Sequence, residues 1–110
     1  MTLTTSFEFE EIVLLTLGIL HGNAYGVTIK DEIDQRLGRQ VSIGALQNTL
    51  LRLEKKGCLA SELGDTEASR GGKPKRYFQI TSFGRRAMQE SRDARDTLWK
   101  ALPQVIIDMK

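Results

Sequence analysis

The chain has 110 residues, 40% of them apolar and 27% charged, with a net charge of only +2. That length fits one domain with a modest core, and no apolar run approaches the roughly 18 residues of a membrane span. A lone cysteine, Cys58, excludes an internal disulfide, and the opening "MTLTTSFEFEE" puts no base ahead of its apolar run; both point to a cytoplasmic protein without a secretory signal.

The charges are unevenly placed. Glu8, Glu10 and Glu11 come before any base, whereas Ser69 to Arg86 carries Arg70, Lys73, Lys75, Arg76, Arg85 and Arg86 and no acid. Such segregation makes a basic surface on a near-neutral protein. A solvated loop beside a solvated helix start would explain the charge equally well.

Thr5-Ser6-Phe7-Glu8 fits a capping box with Thr5 as N-cap. A helix from about Phe7 to Leu20 should follow, with Phe9, Ile12, Val13, Leu14, Leu15, Leu17, Ile19 and Leu20 spread around its circumference. A helix apolar on all sides needs cover on more than one side, which implies a partner subunit. Gly22 suits a left-handed helix end, and Asn23 can cap the next helix. That second helix, about Ala24 to Leu37, sets Val27, Ile29, Ile33 and Leu37 at helical spacing before Gly38 ends it.

Ser42 caps a third helix, about Ile43 to Lys56, closed by Gly57. Cys58 to Leu63 reads as a strand, "GDTEASRGGKP" as turn chemistry, and Lys75 to Ile80 as a second strand of a hairpin. Thr81 or Ser82 caps a fourth helix running to about Leu102, roughly 30 Å long; Pro103 then leads into a short apolar tail. The fold class is mainly α with a small β-hairpin, a winged helix-turn-helix plus a long C-terminal helix. Residues 1–81 form the winged helix and 82–110 the helix and tail, as one compact unit.

On the third helix Leu46, Leu50 and Leu53 share one face, flanked by Ile43 and Thr49. Gly44, Asn48 and Lys55 point the opposite way, with Gln47, Leu51 and Arg52 on the flanks. Amides can pair bidentately with adenine, and arginine with guanine, in the major groove. Gly44 and Ala45 leave room for a phosphate at the helix start. Any amphipathic helix has a polar face, so the DNA reading draws on the basic hairpin that follows. Leu51 is a misfit there: surface, hairpin packing and contact with a thymine methyl all remain open.

Two stretches then carry a family resemblance. Ser42 to Gly57, "SIGALQNTLLRLEKKG", and Gly71 to Gly84, "GGKPKRYFQITSFG", together with "HGNAYGVTIKDEI", resemble the PadR family of bacterial transcriptional regulators over about Leu14 to Met88. The resemblance implies a homodimeric repressor that binds a pseudo-palindromic double-stranded operator. Its recognition helix would be Ser42 to Arg52, with DNA contacts from Ser42, Gly44, Gln47, Asn48 and Arg52. Its wing would be Arg70 to Arg76, with contacts from Arg70, Lys73, Lys75 and Arg76. The first and last helices would build the dimer through Phe9, Val13, Leu98, Trp99 and Leu102. Family members usually read "A-L-Y-P-T-L" where this chain has Ala45 to Leu50 with Gln47 and Asn48 in the middle, so the family's operator preference does not carry over. Phe78 replaces the second tyrosine of the usual pair.

Some small PadR members stack planar aromatic compounds on a tryptophan of the last helix. Trp99 sits about one turn later than that position, with Arg95 nearer to it, so dimer packing with Leu98 and Leu102 is the favoured role. The polar middle of that helix, "QESRDARDT", allows Arg86–Glu90 and Arg92–Asp96 pairs at i,i+4. One histidine and one cysteine make no zinc site, so neither metal nor cofactor is expected. "GGKP" lacks the phosphate-loop pattern, and no nucleophile is paired with His21, so no enzyme is expected. Two other functions remain: a winged-helix protein-interaction module without DNA binding, and a small-molecule sensor released from DNA by its ligand.

Overall fold

A computed structural model describes residues 2–64 and 74–110, with side chains from Glu8 onward. The described elements are α1 (Thr2–Ile19), α2 (Gly26–Leu37), α3 (Ile43–Lys55), β1 (Leu59–Leu63), β2 (Arg76–Ile80), α4 (Ser82–Lys100) and α5 (Gln104–Ile107). This is the expected order, with the tail gathered into one more short helix after Pro103.

Glycine closes the first three helices as expected: Gly22, Gly38 and Gly57 all have positive φ, where a Cβ would be strained. Ser42 caps α3, its hydroxyl accepting from the Ala45 N–H at 3.1 Å. Thr81 caps α4 by accepting from the Gly84 N–H at 3.0 Å. Two expected caps are corrected. The first helix already begins at Thr2, so Thr5 lies inside it; no Gly or Pro stops it earlier, and Thr and Ser cost only tenths of a kcal/mol there. The second helix begins at Gly26 rather than Ala24, and Asn23 supplies a carbonyl instead of a side-chain cap. The Thr28 hydroxyl accepts from the Tyr25 N–H at 3.0 Å and donates to the Asn23 carbonyl at 2.7 Å.

The core joins Val13, Leu14 and Leu17 of α1, Ile29 and Ile33 of α2, and Leu46, Leu50 and Leu53 of α3 to Cys58 and Leu59. Phe78 and Ile80 of β2 and Met88 of α4 pack against it. Thus α2, α3, β2 and the start of α4 supply much of the cover that the sequence assigned to a partner. Val13, expected at the dimer interface, is 0% exposed within the chain's own core. Val27, Leu37, Ile43 and Leu63 share their elements' apolar pattern yet stay exposed, because each element meets the core along a narrower stripe than the pattern suggests.

The two strands pair antiparallel, Leu59 opposite Ile80 and Leu63 opposite Arg76. The Gly64 N–H donates to the Lys75 carbonyl at 2.7 Å and extends the ladder towards the turn. The molecule measures 62 × 28 × 23 Å, because α4 leaves the globule. Every residue from Ser91 to Lys110 is exposed. Arg95 returns to pair with Glu11 of α1. The expected Arg86–Glu90 and Arg92–Asp96 pairs are replaced by Arg85–Gln89, Gln89–Asp93 and Asp96–Lys100 contacts along α4. Among the described residues no helix is long and apolar enough to cross a membrane.

Candidate nucleic-acid interface

One carboxylate ties α2 to the turn before α3. Asp34, near the end of α2, accepts from the Val41 N–H at 2.7 Å and pairs with Lys30 one turn back. It thereby bonds the last turn of α2 to the residue just before the α3 cap. The Lys30 ammonium and the Val41 N–H both favour the ionised form, so the Asp34 carboxyl lies below its usual range. A group with a depressed folded pKa adds stability above its unfolded pKa and loses it as pH falls through the folded one. Acid denaturation should therefore steepen below about pH 4, the usual aspartate value. Asp34→Asn should flatten that segment of a stability-versus-pH curve measured by urea unfolding; an unchanged curve would remove Asp34 from this role.

The core stripe of α3 turns inward, with Leu46, Thr49, Leu50 and Leu53 all buried. That leaves Gly44, Gln47, Asn48, Leu51 and Lys55 outside. Ser42 and Gly44 stand exposed at the helix start. Arg52 lies on the flank facing α1: its guanidinium donates to Thr49 Oγ1 at 3.1 Å and to Glu10 at 3.3 Å. Glu10 also accepts from Lys56 at 2.9 Å. Arg52 thus braces α3 on α1, on a different side from Gln47. A separation of 42 positions between Arg52 and Glu10 hid this contact from a local reading.

The hairpin is fastened to the start of α2. The Phe78 N–H donates to the Ala24 carbonyl at 2.8 Å. On the opposite face of β2, Tyr77 meets Tyr25 edge-on with ring centroids 5.4 Å apart. The Lys75 ammonium lies 4.5 Å from the Tyr25 ring centroid and 3.4 Å from its hydroxyl. Arg76 donates to Ser61 Oγ at 3.1 Å, and Ser61 in turn donates to Glu54 at 2.8 Å. Side chains with several rotatable bonds are therefore oriented before any ligand arrives. Tyr25, Ser61 and Glu54 were not singled out from the sequence, since each matters only through a partner on another element.

Between α3, the start of α2 and β2 lies an open groove of about 670 Å³, lined by Gln47, Leu51, Val27, Lys75 and Arg76 among others. It brings three expected interface residues together: Gln47, Lys75 and Arg76. Asn48 is exposed one residue further round α3. Arg70 and Lys73, with all of the expected Gly64 to Pro74 turn but its two end residues, lie outside the described residues. Cys58 is buried, and desolvation pushes its thiol pKa up, as for a packing residue. No group of three or more His, Cys, Asp and Glu side chains among the described residues is arranged to hold a metal.

A sequence profile described as the Transcriptional regulator PadR-like family matches residues 14–90. The chain belongs to this family. The PadR-like match spans α1 from Leu14 through the first half of α4, including the whole groove. A PadR-like transcription factor from Bacteroides fragilis superposes with a TM-score of 0.77 at 22% identity, covering 90% of each chain. A PadR family regulator from Eggerthella lenta reaches 0.71 at 24% identity, over 98% of this chain and 94% of the other. Bacillus subtilis PadR, crystallised in complex with operator DNA, gives 0.60 at 15% identity, over 74% of this chain and 45% of its own. At these identities the likeness is one of fold. No curated protein sequence matches the chain.

Proposed function

We propose that this PadR-like protein is a dimeric, sequence-specific DNA-binding repressor acting in the cytoplasm, without enzymatic activity. The observation that carries the reading is the shared groove: Gln47 on the exposed face of α3 lines it together with Lys75 and Arg76 at the turn end of the hairpin. Gln47 and Asn48 read base edges in the major groove, while Ser42, Gly44 and the wing bases Arg70, Lys73, Lys75 and Arg76 take phosphates. Family membership and the fold shared with an operator-bound PadR support the assignment. Arg52 holds the helix in place on Glu10.

Two copies meet through the projecting α4 and the free side of α1. Leu98, Trp99 and Val105 are each more than 60% exposed, with Leu102 at the bend between them; Phe9 is partly buried against the core. A contiguous apolar stripe of this kind on a soluble chain marks an interface. With third helices about 34–36 Å apart, the dimer reads a pseudo-palindrome. Selection from random DNA should enrich two inverted half-sites at about one helical turn. Enrichment of nothing at low salt, with a stable heterologous protein complex in its place, would favour the interaction-module reading. A planar aromatic effector at Trp99 should quench its fluorescence and release DNA; no quenching across a varied panel removes the effector from the scheme.

A further inference from the structure

One side chain on the outer face of α3 is not explained by polar readout. Leu51 is 58% exposed. The sequence leaves it three roles: ordinary surface, packing on the hairpin, or contact with DNA. A leucine packed on the hairpin would be largely covered, so that role is excluded. Its neighbours decide between the other two. Leu51 follows Gln47 by one helical turn, which puts both on the same side of α3 with Cβ atoms about 5–6 Å apart. Both line the groove that also carries Lys75 and Arg76. Val27, also 58% exposed, lines the same groove from the start of α2. Two exposed apolar side chains therefore share one groove with an amide and two cations, on the face that would be dehydrated by a duplex.

In the major groove the apolar feature that a base offers is the C5-methyl of thymine, and the partner of a glutamine is adenine. Base pairs stack about 3.4 Å apart. A side chain 5–6 Å from Gln47 thus reaches the base pair one or two steps further along. We infer that Leu51 is a specificity-determining residue that takes the methyl group of a thymine within two base pairs of the adenine held by Gln47. The inference rests on the DNA-binding reading above and adds a base preference to it.

Replacing thymine by uracil removes this methyl group and keeps every hydrogen-bonding group of the base. Each thymine in one half-site of the selected operator is replaced singly, and affinity is measured for the wild type and for Leu51→Ala. At one position within two base pairs of a Gln47-dependent adenine, uracil should weaken wild-type binding about fourfold, as expected for one methyl group left unburied. The same change should leave Leu51→Ala unaffected. Leu51 is exposed, so the variant should keep the wild-type circular dichroism spectrum. Tight binding that is indifferent to uracil at every position overturns the assignment and leaves the DNA-binding reading intact. So does an equal loss in both proteins. Failure of the wild type to retain any selected DNA overturns both.

Discussion

Gly84→Ala is expected to destabilise the protein by about 3 kcal/mol, at the upper end for overpacking. A Cβ at Gly84 would point straight at the Cys58 carbonyl, with the carbonyl carbon at 2.8 Å and the Cys58 Cα at 3.0 Å. These are backbone atoms, so no rotamer change relieves the clash. The start of α4 would have to lift away from the residue leading into β1. That movement would strain the Thr81 N–H to Cys58 carbonyl bond at 3.1 Å and the Thr81 hydroxyl to Gly57 carbonyl bond at 2.6 Å. At about 4–8 °C per kcal/mol for a domain of this size, thermal unfolding should shift down by more than about 10 °C. A shift of under about 3 °C would mean that the close approach of α4 and β1 is not required. The same glycine closes the motif shared with the PadR family, and its need is the missing side chain rather than a special φ.

The second large effect concerns the wing. Removing three phosphate contacts by a Lys73→Ala/Lys75→Ala/Arg76→Ala triple variant should lower the salt dependence of DNA binding by about 2.7 per subunit, from about 0.9 per phosphate. Near 0.1 M salt that corresponds to a loss of a few hundredfold in affinity. The magnitude exceeds that of a surface charge loss on a folded protein because each contact releases a condensed counterion. Folding should scarcely change, since Lys75 and Arg76 are exposed and surface ion pairs contribute about 0–1 kcal/mol. An unchanged slope would move the phosphate contacts off the hairpin. Tyr25→Phe is a milder companion: it keeps the ring under Lys75 and deletes the hydroxyl 3.4 Å from the ammonium.

Much of this architecture was readable locally. The glycines at the ends of α1, α2 and α3, the Ser42 and Thr81 caps and the buried face of α3 depend on neighbours within one or two turns, and the strand pairing on two alternating runs either side of turn residues. The period of apolar residues carries that information directly. The family too was legible, from two motifs at a fixed separation. The caps of α1 and α2 were misplaced because Thr, Ser and Asn can each cap or continue a helix, and competing backbone bonds decide.

The remaining features bring together residues far apart in the chain. An apolar circumference on α1 did not reveal which side the chain itself covers; only packing shows that Val13 is enclosed while Leu15 and Ile19 stay open. Nor did spacing connect Glu10 to Arg52, Tyr25 to Lys75, or Glu54 through Ser61 to Arg76. Composition and periodicity thus determined that a winged helix with a basic hairpin would form, because helix ends, strand alternation and turns are local events. Tertiary structure decided which basic residues are braced, which side of α1 is covered, and that Leu51 shares its groove with Gln47, because those outcomes depend on contacts between elements that no local pattern encodes.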